Sequence, residues 1–305
     1  MNISVFGLGY VGITTSACMA ELGHQVYGVD INQDRVRALI QGTSPIKIGG
    51  IDDLLKKQIA TKRLLPTTDY EDALRKSDMS FVCVQTPCKP DGDLDLIVVN
   101  RVITQIGSKL DKTGALYHTV VIRSTVFPGT LGKLEKILEN RSGLKCHGDF
   151  GLAVNPEFLR EVYAVEDFFN PPYVVVGSDS KEDAEEVMGL YKGIEAPKLI
   201  VKPDVAQMIK YVNNSWHACK VAFTNEVGEV CRRLGIDGDD VMALFAMDNK
   251  LNLSGYYHKI GHAYGGHCLP KDLSVFQYQA REVGAKVPLI DSISKSNDLQ
   301  VKRDK

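Results

Sequence analysis

Apolar residues recur in the first two-thirds of the chain as short unbroken runs separated by longer amphipathic stretches. The runs NISVF (2–6), QVYGVD (25–30), MSFVCV (79–84), YHTVVI (117–122), FGLAV (150–154) and YVVVG (173–177) are the length of strands and rich in β-branched residues. Between them, Val11 to Leu22 keeps a helical spacing and stops at Gly23, a helix-ending glycine. Asn32 reads as the N-cap of a helix reaching Gln41, and residues 95–110 read as another helix. Strands alternating with helices predict an α/β fold with a parallel sheet and right-handed crossovers. The pattern changes after residue 203. From Asp204 to Leu234 the apolar positions Val205, Met208, Ile209, Val212, Trp216, Ala218, Val221, Phe223, Val227 and Val230 follow a helical period. About 30 residues make a helix of about 45 Å, long enough to bridge domains or subunits. A second helix is predicted over 238–247. Residues 248–272, dense in Gly, His and Tyr, read as a functional loop, and a last helix starts near Lys271, with no further element before the terminal LQVKRDK.

The first strand runs directly into Gly7-Leu8-Gly9-Tyr10-Val11-Gly12, which matches GxGxxG and opens a helix. Asp30 ends the next strand, eighteen residues after Gly12. That context turns a weak motif into a dinucleotide site. Gly7 permits the tight turn, Gly9 lets the backbone approach a pyrophosphate, and Gly12 lets the helix pack on the sheet, with Tyr10 and Val11 between them at the helix N-terminus. Asp30 suits ribose hydroxyls and repels a 2′-phosphate, so NAD is favoured over NADP. Arg35 works against that preference, because it is placed to reach the adenosine end. A glycine-rich turn without cofactor is the plainer alternative. The expected organisation is an NAD-binding Rossmann-type parallel-sheet domain over 1–202, followed by a helical dimerisation domain over 203–305 with the long central helix.

Hydrophobic residues are 44% and charged residues 24% of the chain, with a formal net charge of -2, which gives no electrostatic footprint for nucleic acid or a membrane surface. No apolar run reaches a membrane span, and MNISVFGLGYVG reads as strand and turn, not as a signal peptide. Seven scattered cysteines without a CxxC pair point to reduced thiols and a cytoplasmic protein. Cys18 and Cys83 sit in apolar periodic runs and read as buried structural thiols.

Taken together, FGLGYVG, VQTP (84–87), STVFPGT (124–130), NPEFLRE (155–161), MIKYVNNSWHA (208–218), FTNE (223–226) and GGHCLPKD (265–272) resemble the UDP-glucose/GDP-mannose dehydrogenase family over essentially the whole chain. The resemblance implies two-step NAD-dependent oxidation of a nucleotide sugar at C6 to the uronic acid. It makes Thr86, Thr125 and Lys271 cofactor contacts. It makes Glu161, Lys210, Asn214 and Asn225 substrate or catalytic residues, adds His217 and Gly265 on the substrate side, and has Tyr256, Tyr257 and Lys259 line the sugar-nucleotide site, from the same or the partner subunit. It implies a homodimer cored by the 204–234 helix. GDLDL (92–96) and KLNLSGYY (250–257) favour GDP-mannose. His267, where that type carries serine, and Lys259-Ile260-Gly261-His262 keep UDP-glucose and UDP-N-acetylmannosamine open. The family's third domain, a second Rossmann-like unit, would begin where this sequence stops, so an NAD-binding dimer with impaired catalysis is the alternative from outside the enzyme class.

A cysteine between a glycine pair and Pro-Lys-Asp suits covalent aldehyde oxidation. The Cys268 thiolate would form a thiohemiacetal and then a thioester. Lys271 and His267 flank it and would lower its pKa. Asp272 would orient a lysine or a water, Lys210 would stabilise an alkoxide or oxyanion, and Glu157 or Glu161 would activate the hydrolytic water. Lys210, Asn214 and His217 share one helix face by spacing. For Glu157 a helix-start acid is nearly as good a reading, for Lys210 an exposed helix lysine competes, and for His217 a satisfied core or interface histidine is preferred. His258, His262 and His267 beside Cys268 raise zinc, but the interleaved glycines argue against a helical ligand pair, and no metal is expected. Asp91-Gly92-Asp93-Leu94-Asp95 lacks the rest of a calcium loop and reads as a turn capping the next helix.

Overall fold

The computed structural model describes residues 1–112, 117–248, 261–282 and 288–303. They form two compact units, Met1–Thr86 with Leu96–Lys210, and Pro87–Asp95 with Tyr211–Lys305. The linear boundary at 202/203 draws neither the transfer of Pro87–Asp95 to the second unit nor the retention of 203–210 by the first. Among the described residues no helix is long and apolar enough to cross a membrane.

The first unit runs β1 (Asn2–Phe6), α1 (Tyr10–Glu21), β2 (Gln25–Val29), α2 (Gln33–Ile40), α3 (Ile51–Ala60), β3 (Leu64–Thr67), α4 (Tyr70–Arg75), β4 (Met79–Val82), α5 (Ile97–Gly107), β5 (His118–Ile122), α6 (Leu131–Ser142), β6 (Phe150–Val154), α7 (Ala164–Phe169), β7 (Val174–Gly177), α8 (Lys181–Gly189) and β8 (Lys198–Val201). The strands form one sheet in the order β3-β2-β1-β4-β5-β6-β7-β8. The strand order reverses beside β1, where α/β sheets bind ligands at their carboxyl ends. β1 pairs with β2 and β4 in parallel register, with Val5 opposite Gly28 and Phe81. β4, β5 and β6 are buried at every position, as strands covered on both faces must be.

Two features depart from the sequence expectation. β3 and β8 were not foreseen: they are four-residue edge strands, one carrying Pro66 and the other largely exposed, so neither shows the buried run that marks a strand. The sheet is also not wholly parallel. β7 meets β6 antiparallel, through Val154 and Gly177 alone. The connection there is a loop, a 3-10 turn (Glu161–Tyr163) and the six-residue α7, with no full crossover helix to return the chain for another parallel strand.

α1 is buried from Gly12 through Ala20, so the helix after the glycine loop is core. Cys18 and Cys83 are both buried, as expected, and desolvation pushes the Cys83 thiol up to about 12 and Cys18 well above its usual value. A buried polar chain crosses the sheet. Ser4 Oγ meets Ser80 Oγ at 2.7 Å, Ser80 Oγ meets His118 Nε2 at 2.8 Å, and His118 Nδ1 lies 3.1 Å from the Ser77 carbonyl. The carbonyl can only accept, so Nδ1 carries the proton and Nε2 accepts from Ser80.

The long helix α9 (Pro203–Leu234) has the predicted span and runs on from the first unit into the second. There it is followed by α10 (Gly238–Met247), α11 (Cys268–Glu282) and α12 (Pro288–Arg303). Asp237 caps α10 by accepting from the amides of Asp239 and Asp240. The sequence reading had one final helix starting near Lys271; there are two, and the first begins at Cys268. Pro270 and Pro288 mark the two starts, since proline fits the first turn of a helix where its missing N–H costs nothing. Ala218, Val221 and Ala222 of α9 pack with Leu273 of α11, Ile293 of α12 and Tyr264. Asn297 of α12 brackets Tyr264, accepting from its amide at 2.7 Å and donating to its carbonyl at 3.0 Å.

Burial lowers the His118 pKa from 6.5 to about 4, so the ring is neutral in the fold. A depressed histidine contributes stability that is complete above its unfolded pKa and lost as pH falls from about 6.5 toward about 4. At about 1.4 kcal/mol per pKa unit the loss reaches about 3 kcal/mol. Urea titrations should therefore show the stability advantage of the wild type over His118→Asn shrinking by that order on acidification; a constant difference would refute the neutral buried ring.

Candidate active site

The glycine loop follows from steric necessity. Gly7 has φ +90°, and a Cβ on it would stand 2.7 Å from Val84 Cγ1. A Cβ on Gly12 would stand 1.8 Å from the Gly7 carbonyl oxygen, so only glycine lets α1 cross its own entry loop. At Gly9 a Cβ would meet nothing within 4 Å, which leaves that side of the loop open to a ligand. Gly9 caps α1 without a side-chain bond and the first turn holds no acid, so the helix dipole is uncompensated where a pyrophosphate would sit. The residues present thus fit a dinucleotide.

Asp30, buried at the end of β2, accepts from the Leu8 amide at 2.8 Å, the Asn32 amide at 2.9 Å and Arg35 Nη1 at 2.9 Å. A carboxylate has about four acceptor sites, so capacity for one further donor remains. Arg35 folds back onto Asp30, and the arginine expected to act separately on the adenosine end is the acid's own partner. The Thr86 hydroxyl donates to the Thr125 carbonyl at 2.9 Å and Ser124 Oγ to the Val84 carbonyl at 2.6 Å, tying together the segments that leave β4 and β5. Tyr10 and Val11 are half-buried at the start of α1.

Glu157 lies in the loop after β6, not at a helix start, which removes the helix-acid reading. It and Lys210 are both buried, and Lys210 Nζ donates to Glu157 Oε1 at 2.8 Å, so the exposed-lysine reading is also excluded. Tyr10 reaches the same oxygen at 3.4 Å, and Glu157 Oε2 accepts from the Leu159 amide at 2.6 Å. Burial raises the Glu157 pKa, but the Lys210 charge and hydrogen bond, the Leu159 amide and the Arg123 charge outweigh it and leave the carboxyl below its usual range. Lys210 Nζ also stands 5.9 Å from the centroid of the Phe158 ring. Glu161 sits exposed on the 3-10 turn.

In the second unit Cys268 is the first residue of the 15-residue α11, half-buried, at a helix end whose dipole favours a thiolate. One turn on, Asp272 is fully buried. Its Oδ2 accepts from Asn214 Nδ2, and its Oδ1 lies 3.1 Å from Lys271 Nζ, at ion-pair distance but without hydrogen-bond alignment. Asn225 Oδ1 accepts from the amides of Gly261 and His262 at 3.0 and 3.2 Å, and its Nδ2 donates to the His262 carbonyl. Its amide thereby shapes the loop that enters the cysteine segment. Gly265 and His267 are exposed, and His217 is half-buried. Tyr256, Tyr257, Lys259 and His258 lie outside the described residues.

The turn around Asp91 is real, with Gly92 at φ +94° and the Asp93 amide donating to Asp91 Oδ1 at 3.0 Å, but it caps nothing. α5 starts after Leu96 without a side-chain cap. The turn packs instead on α11, where a Cβ on Gly92 would meet Ser274 Oγ at 3.2 Å.

Sequence reasoning overlooked Arg123. Its only mark in the sequence is a charge directly after the strand run YHTVVI, which by itself reads as a solvent-facing strand end. Arg123 is buried and bonded to Asn155 and Tyr191, next to the segment that carries Glu157.

Comparison with known proteins places these features in a family. Residues 1–195 match the NAD binding domain of the UDP-glucose/GDP-mannose dehydrogenase family, and residues 204–299 match the family's central domain. The chain is 46% identical over 303 residues to a GDP-mannose 6-dehydrogenase of Pseudomonas putida, covering 99% of this chain and 69% of that protein. Among solved structures it resembles a ternary complex of GDP-mannose dehydrogenase from Pseudomonas aeruginosa, with a TM-score of 0.81 and 43% identity over 99% of this chain and 70% of the other. It also resembles a UDP-glucose dehydrogenase from Pyrobaculum islandicum, with a TM-score of 0.91 and 35% identity over 97% of this chain and 68% of that one.

Removing one member of a buried ion pair strands the other charge. Lys210→Met should cost about 3–5 kcal/mol of stability, and adding Glu157→Gln should recover a large part of it. A denaturant double-mutant cycle with additive losses would show the two side chains to be independent.

Proposed function

The chain belongs to the UDP-glucose/GDP-mannose dehydrogenase family, and on that footing we propose that it oxidises the C6 alcohol of a nucleotide sugar to the carboxylate, with GDP-mannose as the favoured substrate and Cys268 as the nucleophile. The observation that carries the covalent part is the position of Cys268 as the first residue of α11, one turn before the buried Asp272–Asn214 pair. The preference for GDP-mannose rests on the higher identity to enzymes of that name than to UDP-glucose 6-dehydrogenases, 46% against 34%.

NAD is the cofactor, and when bound it accepts one hydride in each of two steps. The cradle of Gly7, Gly9 and Gly12 with the start of α1 would hold the pyrophosphate. Asp30, with one acceptor site left, would take a ribose hydroxyl and disfavour a 2′-phosphate, while Thr86, Thr125 and Lys271 would add further contacts. The first oxidation converts the alcohol to the aldehyde. The Cys268 sulfur then bonds to C6, giving a thiohemiacetal whose C–H hydride leaves to form the thioester. Water attacks the thioester, the C–S bond breaks, and the thiolate returns. Lys210, as a buried ammonium, is the group to steady the oxyanion formed in these steps. Glu157, kept ionised by its neighbours, is the base for the hydrolytic water, and Asp272 and Asn214 hold the cysteine-bearing helix turn. Glu161, His217, Asn225, Gly265, Tyr256, Tyr257 and Lys259 are the substrate contacts that family membership suggests.

We also propose that a second copy of the chain covers α9. Val212, Trp216 and Phe223, one face by helical spacing, are 44–47% exposed, an unusual concentration of large apolar side chains. Light scattering at micromolar concentration should give a dimer; a 33.6 kDa monomer would reject the interface.

Assay against a panel of nucleotide sugars should give NADH with GDP-mannose fastest, and NADH from a UDP-sugar alone would reassign the substrate. Cys268→Ser should lower formation of the acid by about a hundredfold or more with NAD affinity nearly unchanged, because a serine hydroxyl without its own base is a poor nucleophile near neutral pH. Acid production by the serine variant at the wild-type rate would leave Cys268 structural.

A further inference from the structure

Arg123 closes β5 as a buried guanidinium with no acidic partner at ion-pair distance among the described residues. Its partners are neutral. Nη1 donates to Asn155 Oδ1 at 2.5 Å, to the Tyr191 hydroxyl at 3.2 Å and to the Asn155 carbonyl at 3.4 Å, while Nε has no hydrogen-bond partner among the described residues. The guanidinium carbon lies 6.0 Å from the centroid of the Phe168 ring. Burying a charge on such terms is costly, and mere packing would be served as well by an apolar side chain.

The partners show what the charge is attached to. Asn155 Oδ1 also accepts from Tyr191 at 2.6 Å, Asn155 Nδ2 donates to the Val175 carbonyl at 2.8 Å, and its amide donates to the Ile122 carbonyl at 2.9 Å. Asn155 is thus fastened to β5, β7 and the segment after α8 at once, and it is followed by Pro156, whose φ is restricted, and then by Glu157. Little freedom remains between the Arg123 network and the carboxylate. We propose that Arg123 is a positioning residue: through Asn155 and Tyr191 it sets the Asn155-Pro156-Glu157 turn, and so the placement of Glu157 against Lys210. The inference rests on the role given above to Glu157.

The charged and titratable groups acting on Glu157 are Lys210 on α9, Arg123 after β5, Tyr10 on α1 and Cys83 after β4. Arg123 therefore contributes in two separable ways, by shape and by charge. Arg123→Gln removes the charge and Arg123→Lys keeps it without the planar fork. Tyr191→Phe removes one bond to Asn155 and leaves the charge.

The test is kcat against pH for these variants, Glu157→Gln and Arg123→Gln/Glu157→Gln, with NAD binding by calorimetry. Arg123→Gln should lower kcat by about tenfold or more, move the acid limb to higher pH, and leave NAD affinity within about threefold. Arg123→Lys and Tyr191→Phe should lower kcat and move the limb up by less than Arg123→Gln does, and the double variant should be no slower than Glu157→Gln. Wild-type kcat and limb in Arg123→Gln, or losses that multiply in the double variant, would overturn the proposal. If Arg123→Gln does not fold, wild-type kcat in both Arg123→Lys and Tyr191→Phe would overturn it.

Full activity in Glu157→Gln, or no turnover in the wild type, would be a failure of the functional reading instead. The decision then falls to melting temperature against pH. A carboxyl held below its usual range gives stability that is lost on acidification, and Arg123→Lys and Tyr191→Phe should reduce that loss if the turn is set through Arg123. An unchanged acid-side loss in both would overturn the positioning role.

Discussion

A carboxylate and an ammonium taken out of water together tolerate little error in placement. Glu157 and Lys210 are both almost fully buried, and each is affordable there only because the other lies 2.8 Å away. Glu157 therefore needs a loop that cannot drift, which the Asn155 bonds to Arg123, Tyr191 and Val175 provide. Lys210 needs a helix that starts in the right place. Asp204, in the first turn of α9, accepts from the Gly129 amide at 2.8 Å, and Ala206 packs so closely that a Cβ on Gly177 would stand 2.7 Å from it. The loop after β5, the end of β7 and the start of α9 are all set by where two opposite charges must meet.

Much of this was legible in the sequence, for physical reasons that differ from residue to residue. Buried parallel strands announce themselves as unbroken apolar runs, so β1, β2, β4, β5, β6 and β7 were found, while the short edges β3 and β8 were not. The glycine loop was legible because its spacing is dictated by a carbonyl that leaves no room for a Cβ at Gly12. The partners of Asp30 were not, since the capture of the Leu8 amide and the Arg35 guanidinium depends on tertiary approach. Glu157 was assigned a role without its geometry, as sequence cannot distinguish a loop carboxylate from a helix-start acid when both follow a strand and a proline. Arg123 was missed outright. A lone arginine after a strand ordinarily reads as a solvent-facing end, and only the surrounding network shows that it faces inward.

The candidate chemistry is distributed unevenly along the chain. The first unit holds the dinucleotide cradle and the Glu157–Lys210 pair, and the second holds Cys268, Asp272 and Asn214. Each group is assembled by bonds within its own unit, so a substitution that loosens one need not loosen the other. The cysteines follow the same logic. Burial raises the Cys18, Cys83 and Cys146 thiols and makes them poor nucleophiles, whereas Cys268 stands half-buried at a helix N-terminus.

The bracket that Asn297 places on Tyr264 has a consequence for the order in which the protein is made. Every strand of the sheet precedes residue 202, so the first unit can gather its core while the rest of the chain is still being translated. The segment leading into Cys268 cannot follow the same schedule. Its backbone is held at Tyr264 by a side chain 33 positions downstream, on the last helix described. A nascent chain that has emerged beyond the last strand but not yet as far as residue 297 has every strand of the dinucleotide fold and lacks the side chain that braces the segment before the thiol.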